Sequence, residues 1–396
     1  MPKLFEININ INRGSVGKIT EQIGLLAQKK GWEVEVAYGW AISTPSELHT
    51  YRIESNLGIK WHAIMTRIFD RHGLHSTIAT KRLIDQIIKF APDVIQIHNI
   101  HGYFINYRVL FEFLKSYNKP VVWTLHDCWA MTGHCSHFVT AKCDKWKTEC
   151  NDCPLKRDYP TSYLFDRSRK NYIEKKHCFS QLSDLHIVTV SHWLANIVNQ
   201  SFLRYAPVQV VHNGIDLNSF LPCKEKDAKT FNILCISNVW VKSKGLADIF
   251  RLRELLPLDK YKITMIGLTM EQIDKLPEGI CGLTRTENQR ELAEFYSSSN
   301  VLINPTYADS FPTINLESLA CGTPVITYNT GGSPETIDEK TGVVVEPGDI
   351  DSLVNAVYSI QSKNIPVSVC RERALNLFNK DICFNNYISI YESVLK

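Results

Sequence analysis

Two carboxylates flank a predicted helix start in the segment TYADSFPTINLESLACGTPVITYNTGGSPETI, residues 306–337. Asp309 lies just before the predicted helix, and Glu317 lies about a turn and a half inside it. Pro312 stands at the helix start, where its missing N–H removes no hydrogen bond. Carboxylates in these two positions can accept hydrogen bonds from hydroxyl groups on either side of the helix start.

The helix start is itself a candidate anion site, because its free backbone N–H groups and positive dipole end suit a phosphate. The residues that would line it are Ser310, Phe311, Pro312 and Thr313. In one interpretation, Asp309 and Glu317 hold hydroxyl groups of a sugar and a ribose while the backbone holds the diphosphate between them. In the other, Asp309 only complements the helix dipole and Glu317 is solvated.

A predicted strand-to-helix turn earlier in the chain carries Lys242 and Lys244, in the sequence KSKG. A lysine in such a turn can neutralise a diphosphate as a point charge. The alternative is an ordinary lysine in an exposed loop. Both lysines are therefore candidate phosphate contacts.

Polar side chains also gather where predicted buried strands end in the first half of the chain. The strand at 93–98 runs into the sequence HNIH, and the strand at 121–125 runs into His126 and Asp127. Parallel sheets bind ligands at the carboxyl ends of their strands, which favours a site here. A histidine in this place can also be a hydrogen-bonded wall residue, and Asp127 can orient a neighbour or bind a substrate hydroxyl.

A glycine turn follows the first predicted strand, in the sequence RGSVGK with Gly14 and Gly17. It lies where a parallel sheet binds ligands, but it matches neither a P-loop nor the G-x-G-x-x-G fingerprint. A tight turn for helix packing and a turn that approaches a ligand both remain open.

Four cysteines cluster in the sequence GHCSHFVTAKCDKWKTECNDCP. They are Cys135, Cys143, Cys150 and Cys153. The ligand count and the final C-x-x-C spacing are those of a structural zinc site, although the other gaps match no standard finger. His134 and His137 can replace a cysteine ligand. Free thiols packed as small hydrophobes are the alternative.

Length and composition set the class of protein. A chain of 396 residues suits two domains, and 44% hydrophobic with 21% charged residues is typical of a soluble globular protein. No apolar run approaches the roughly 20 residues that span a bilayer, and the N-terminus enters a strand without a signal-peptide core. We therefore expect a cytoplasmic protein. A formal net charge of +3 is too small to indicate nucleic-acid binding.

Strands alternate with helices twice along the chain, which predicts an α/β protein with two doubly wound parallel sheets. We place the first domain at residues 1–222, with a cysteine-rich loop at 128–157. The second domain follows at 223–380, and a C-terminal helix at 381–396 crosses back to the first. The boundary lies near Pro222–Lys229, where the composition becomes polar and charged.

A basic helix is predicted from Trp61 to His72, with arginines and histidines beside an apolar stripe. This composition suits an anionic lipid surface or the pyrophosphate of an acceptor. A solvated basic face over an ordinary core stripe is the simpler explanation.

The pattern around residue 309 has a known counterpart. An acidic residue, seven positions, a Glu, then ACGTPVI and GG-x-PE resembles the donor-site signature of retaining glycosyltransferases of the GT-B fold, the family-4 group. The stretches TLHDCWAMTGHC, CDKWK and VVHNGIDLNSF are similar to those of cytosolic transferases that build bacterial capsule, exopolysaccharide or O-antigen. The resemblance implies two facing Rossmann-like domains with a cleft between them.

The resemblance also implies roles for the candidate residues of the second domain. Glu317 would grip the ribose, and Asp309, where the family usually has Glu, would contact the donor sugar. Lys244 would be the donor-phosphate lysine. Lys242 would stand in for an arginine that this chain lacks.

In the first domain, the resemblance implies that His126 lines the acceptor side of the donor sugar. Asp127 is the second candidate there. Gly14 and Gly17 would lie close to the donor phosphates or the acceptor.

The implied reaction moves a sugar from a UDP- or GDP-sugar to a hydroxyl of a glycan acceptor carried on a polyprenyl diphosphate, with retention at the anomeric carbon. We expect no cofactor for catalysis, weak attraction to anionic membranes and a place at the inner face of the cytoplasmic membrane. Two alternatives are a nucleotide-sugar epimerase of the same fold and a zinc-containing binding protein.

Overall fold

The computed structural model describes residues 1–40, 45–226 and 229–396. Contacts divide these residues into two compact units, one of residues 1–211 with 384–396 and the other of residues 212–383. Of the predicted boundary segment Pro222–Lys229, residues 227 and 228 lie outside the described residues.

Residues 212–222, which the sequence assigns to the first domain, lie with the second unit by their contacts. The Nζ atom of Lys380 lies 2.7 Å from Oδ2 of Asp216. Arg371 donates hydrogen bonds to the carbonyl oxygens of Leu217 and Phe220. The segment is thus tied to residues near the end of the second unit.

The first unit is built on a seven-stranded parallel sheet with the strand order 3-2-1-4-5-6-7. Its strands are β1 (Lys3–Asn8), β2 (Glu33–Tyr38), β3 (His49–Arg52), β4 (Val94–Ile97), β5 (Val121–Leu125), β6 (Leu185–Thr189) and β7 (Val208–Val210). Its connecting helices are α1 (Gly14–Lys29), α2 (Asn56–Phe69), α3 (Thr77–Phe90), α4 (Tyr107–Tyr117), α5 (Ser168–Phe179) and α6 (His192–Gln200). The central strands are buried throughout, as expected where helices cover a parallel sheet.

The second unit has a six-stranded parallel sheet with the order 10-9-8-11-12-13. Its strands are β8 (Phe231–Ile236), β9 (Tyr261–Ile266), β10 (Ile280–Leu283), β11 (Val301–Asn304), β12 (Val325–Tyr328) and β13 (Gly342–Val345). The helices that follow β8 along the chain are α7 (Leu246–Leu255), α8 (Met270–Ile273), α9 (Gln289–Ser298), α10 (Thr313–Ala320), α11 (Ile350–Lys363), α12 (Val367–Leu377) and α13 (Lys380–Val394). From Phe384 onward, α13 belongs to the first unit by contacts.

Both strand orders reverse beside the first strand of the unit, which is the doubly wound arrangement. The predicted α/β class with two parallel sheets is therefore confirmed. The sequence missed β3, β10 and β13, which are edge strands of only four residues each with partly exposed side chains. No helix in the described ranges is long and apolar enough to cross a membrane.

Candidate active site

The start of α10 is fixed on both sides by buried amide hydrogen bonds. Asn315 in the first turn accepts from Nδ2 of Asn304 at the end of β11 (2.9 Å) and donates to Oγ1 of Thr336 (2.9 Å). Pro312 precedes the helix in an extended conformation. The N–H groups of the first turn are therefore held at the carboxyl edge of the sheet, where such folds bind ligands.

Lys244 and Asp309 form an ion pair beside this helix start. The Nζ atom of Lys244 lies 3.0 Å from Oδ2 of Asp309 and 3.2 Å from Oγ1 of Thr306. Oδ1 of Asp309 accepts from the backbone N–H of Phe311 (3.3 Å). Lys242 lies in the same short turn as Lys244 and is exposed. Of the two candidate lysines, Lys244 is the one that the structure brings to the helix start.

Glu317 is positioned by a tyrosine that the sequence did not single out. Its Oε2 accepts from the hydroxyl of Tyr296 on α9 (2.8 Å). Burial and then the charge of Glu317 raise the pKa of Tyr296 well above its usual value, so the hydroxyl remains a donor. Tyr296 lies on the buried face of its helix and carries no motif, so the sequence offers no signal for this contact.

Two buried hydroxyl groups near the helix start have no hydrogen-bond partner among the described residues. They belong to Ser310 and Ser333. The glycine turn before Ser333 touches the loop of Asp309: Gly332 donates to the carbonyl oxygen of Asp309, and a Cβ on Gly331 would lie 1.7 Å from that oxygen. Buried hydroxyl groups normally have a hydrogen-bond partner. The two unpaired serine hydroxyls therefore indicate a place where a polar ligand can supply the missing hydrogen bonds. We call Lys244, Asp309, Ser310 and Glu317 the α10 group.

In the first unit, His126 contacts a second histidine. Its Nε2 lies 3.1 Å from Nδ1 of His98, one nitrogen donating and the other accepting. Burial lowers the pKa of His126 to about 4, against an opposing effect of Asp127, so His126 is neutral at pH 7. Nε2 of His98 lies 3.7 Å from Oε1 of Glu6, a fully buried carboxyl whose pKa is raised by burial. Glu6 was missed because it sits within a strand predicted only as core.

Asp127 pairs with His101 and not with the neighbouring His126. Its Oδ2 lies 2.7 Å from Nε2 of His101, and its Oδ1 accepts from the N–H of Trp129 (2.8 Å). Burial raises the pKa of Asp127, but His101 outweighs this and brings it to about 2. Nδ1 of His101 lies 3.0 Å from the hydroxyl of Tyr159. We call Glu6, His98, His101, His126 and Asp127 the His126 group.

Local backbone geometry explains why glycine occupies the two positions after β1. Gly14 begins α1 with φ of +64°, a conformation that favours glycine. A Cβ on Gly17 would come within 3.2 Å of Asn10, so a side chain there would be crowded. These contacts support the tight-turn interpretation, and the nearness of either glycine to a ligand stays a prediction.

The predicted basic helix ends earlier than expected. α2 stops at Phe69, where Asp70 adopts the left-handed conformation. His62 and His72 are buried, and burial lowers the pKa of His62 to about 3, so neither adds positive charge to the surface. The expectation of a histidine-bearing basic face was wrong on this point.

The four clustered cysteines lie together. Cys135, Cys143, Cys150 and Cys153 line one pocket in the loop between β5 and α5. This loop contains three single-turn 3-10 helices, at Trp129–Met131, Val139–Ala141 and Lys145–Lys147.

Comparison with known proteins identifies the family. The family model described as Glycosyltransferase Family 4 matches residues 16–219, slightly more than half of the chain. The chain belongs to this family. A second model, described as Glycosyl transferases group 1, matches residues 221–376. The enzyme is therefore a glycosyltransferase, as predicted.

Among curated relatives, the chain is 23% identical over 378 residues to "Putative colanic acid biosynthesis glycosyl transferase WcaC" of Escherichia coli K12, covering 89% of each chain. Among solved structures, a sucrose-phosphate synthase of Thermosynechococcus elongatus matches with a TM-score of 0.76 at 16% identity, covering 100% of this chain and 99% of that chain. Anabaena Alr3699/HepE in complex with UDP-glucose matches with a TM-score of 0.65 at 13% identity, covering 99% of each. These structures confirm the predicted GT-B fold class.

Proposed function

We propose that this glycosyltransferase moves a sugar from a UDP- or GDP-sugar to a hydroxyl group of a lipid-linked glycan, with retention at the anomeric carbon, during synthesis of a bacterial surface polysaccharide. The observation that carries the proposal is the Lys244–Asp309 pair at the start of α10, with Glu317 held nearby by Tyr296. The similarity to a colanic acid transferase over most of both chains supports the polysaccharide product.

The α10 group provides what departure of a nucleoside diphosphate requires. Negative charge builds on the diphosphate as the sugar becomes oxocarbenium-like, and Lys244 and the helix start stabilise it. Glu317 accepts hydrogen bonds from the ribose hydroxyls, and such charge-assisted bonds are the stronger kind. Asp309 contacts the donor sugar. The structure of HepE in complex with UDP-glucose supports a nucleotide-sugar donor for a protein of this fold.

The His126 group suits a step in which no protein base takes the acceptor proton. In same-face attack, the leaving phosphate oxygen accepts the proton from the acceptor hydroxyl as the new glycosidic bond forms. His126 is neutral because of its burial, so it can position hydroxyl groups by hydrogen bonding without adding a charge. Asp127 is ionised but is occupied by His101 and a backbone N–H.

We place the membrane contact on the predicted helix, α2, but on its exposed apolar side chains and Lys60 instead of its histidines. α2 exposes Leu57 (79% exposed) and Trp61 (61% exposed), and the ring of Phe69 stacks on Phe165 of a loop with further exposed aromatic and aliphatic side chains. Exposed Lys60 lies on the same helix. Apolar and aromatic side chains beside basic ones suit the interface of an anionic membrane, where a polyprenyl-diphosphate acceptor resides.

Sedimentation with liposomes tests this surface. We expect the wild type to bind vesicles that contain phosphatidylglycerol, weakly and less at high salt, and Trp61→Ser to bind several-fold less. Val239→Ser, at an exposed apolar position in the second unit, serves as the matched control. Vesicle binding that depends neither on lipid charge nor on salt concentration would rule this surface out as the membrane contact.

The reaction itself is tested by incubating the purified enzyme with a panel of UDP- and GDP-sugars, with and without a polyprenyl-diphosphate-linked acceptor. We expect slow hydrolysis of one donor alone and transfer when acceptor is present, and NMR of the product gives the anomeric configuration. Epimerised donor would support the epimerase instead. The proposal would be overturned if the enzyme neither binds nor consumes any nucleotide sugar of the panel.

A further inference from the structure

The cysteine loop holds its thiols in one place although its sequence spacing fits no standard zinc finger. Cys135 is almost fully buried, and Cys143, Cys150 and Cys153 are half-buried around the same pocket. The thiols of Cys135 and Cys153 adjoin each other. Free thiols scattered as small hydrophobes would have no reason to converge in this way.

We propose that Cys135, Cys143, Cys150 and Cys153 form a tetrahedral structural zinc site. Three further features of the first unit support it, and none depends on the donor or acceptor of the transferase.

Backbone N–H groups adjoin two of the sulfurs. The N–H of Gly133 faces Cys150, and the N–H of Leu155 faces Cys153. An N–H group in this place favours a thiolate, the form that binds zinc. The approach at Cys150 needs glycine, because a Cβ on Gly133 would lie 2.0 Å from the carbonyl oxygen of Ser168 and 2.9 Å from Cβ of Cys150.

A buried lysine adjoins the thiols. Lys175 is 1% exposed, donates to the carbonyl oxygens of Trp129 (2.7 Å) and Thr132 (3.0 Å), and forms no ion pair with a carboxylate in the described ranges. Of the groups around it, Cys150 and Cys135 would favour its ammonium form most if they were ionised. A buried ammonium without a counter-charge is expensive, and zinc with four thiolates carries a net charge of about −2 that supplies one.

His134 lines the same pocket. Its Nδ1 lies 2.6 Å from Oδ1 of buried Asp70, and its Nε2 has no partner among the described residues. A carboxylate that fixes one imidazole nitrogen and leaves the other toward a metal site is a recurrent arrangement. This makes His134 a competitor for a cysteine ligand.

The sulfurs must draw together when the metal binds. Zinc–sulfur bonds of about 2.3 Å place tetrahedral sulfurs about 3.8 Å apart. Among the described residues, no three of these thiols all lie within 4.8 Å of one another. Three of the four thiols are half-buried, and all four lie in a loop without long helices or strands.

The role of the metal would be structural. Four thiolates leave no open position for water, so the ion does no chemistry on the substrate. The loop it fastens begins at His126 and Asp127, and it also carries Tyr159, whose hydroxyl contacts His101. Zinc thereby stabilises the loop that completes the His126 group.

The first test is elemental analysis of enzyme purified without metal-affinity resin or chelator. We expect about one zinc per chain, and less than a fifth of that in Cys150→Ser and Cys153→Ser. Cys178→Ser, a half-buried cysteine on α5 outside the pocket, should keep its zinc. Metal-free wild type with full transferase activity would overturn the site.

Cobalt exchange in the wild type tests the ligand set without relying on variants that misfold. Four thiolates should give strong sulfur-to-cobalt charge-transfer absorption in the near ultraviolet and the visible bands of a tetrahedral ion. Absence of charge-transfer bands would contradict thiolate ligation. Loss of zinc from His134→Ala but not from Cys143→Ser would overturn the four-cysteine set. A donor-hydrolysis assay alongside separates failure of this site from failure of the proposed function.

Discussion

The α10 group and the His126 group show two ways of placing polar chemistry at the carboxyl edge of a parallel sheet. The α10 group keeps formal charges on partly exposed side chains, with Lys244 and Asp309 33% and 26% exposed. In the His126 group, His98 and His126 are held neutral by burial, and Asp127, its ionised member, is bonded on both oxygens. Charge is thus available where a diphosphate is proposed to leave, and neutral hydrogen bonding where an acceptor is proposed to attack.

The largest effect is expected for Glu317→Ala. Loss of a hydrogen bond to a charged group removes roughly 1.5–3 kcal/mol, and misplacement of the donor adds to this, so kcat/KM should fall at least about a hundredfold. The matched control is Glu254→Ala, an exposed carboxylate on α7 that pairs with surface Arg251. Unchanged kinetics in Glu317→Ala, with circular dichroism like that of the wild type, would remove Glu317 from the site.

The two lysines of one turn form a natural pair for comparison. Lys244→Ala should lower kcat by about tenfold to a hundredfold, because a positive charge next to the leaving group is lost. Lys242→Ala should lower it less than about threefold, since Lys242 is exposed and Lys244 is the one at the helix start. Steady-state kinetics with the identified donor measure the two effects. An equal fall in kcat for both variants would show that positive charge anywhere in the turn suffices and that the position of Lys244 is not special.

His126→Ala should damage turnover and spare donor binding. We expect kcat to fall about tenfold or more and the affinity for the nucleotide to change less than about twofold, because His126 belongs to the other group. His186→Ala, at a partly exposed histidine on β6 that pairs with Asp184, is a control for general effects of histidine removal. Weakened nucleotide binding with normal turnover of bound donor would reverse the assignment.

The smallest effect concerns pH. Because burial lowers the pKa of His126 to about 4, this side chain stays neutral from pH 5.5 to pH 8 and takes a proton only near pH 4. The ratio of kcat/KM between wild type and His126→Ala should therefore be constant across that range. A ratio that falls toward one as the pH drops through about 6.5 would mean that His126 titrates with an ordinary pKa and is not neutral by burial.

The contrast also explains what the sequence could and could not predict. The sequence singled out Asp309, Glu317 and Lys244 because helix starts and strand-to-helix turns have local signals, and the predicted elements around them are confirmed. Their partners were not found. Tyr296 lies on the core face of α9, and its contact with Glu317 joins two helices whose relative placement depends on the tertiary fold.

In the His126 group the sequence predicted more. It placed His126 and Asp127 at one strand end and the histidines of HNIH, His98 and His101, at another on the same edge. It did not show that His98 contacts His126, that His101 contacts Asp127 or that Tyr159 of the long loop contacts His101. Glu6 alternates with apolar residues in β1 and reads as an ordinary strand position. Burial, which sets the charge of this group, is a property of the assembled sheet and leaves no local pattern.

The most direct measurement is calorimetric titration of the identified nucleotide sugar into wild type, Glu317→Ala and His126→Ala. The α10 group is proposed to bind the donor and the His126 group to act in transfer. We therefore expect the affinity to fall at least about tenfold in Glu317→Ala and to stay within about twofold of wild type in His126→Ala. Wild-type affinity in Glu317→Ala together with lost affinity in His126→Ala would contradict the account.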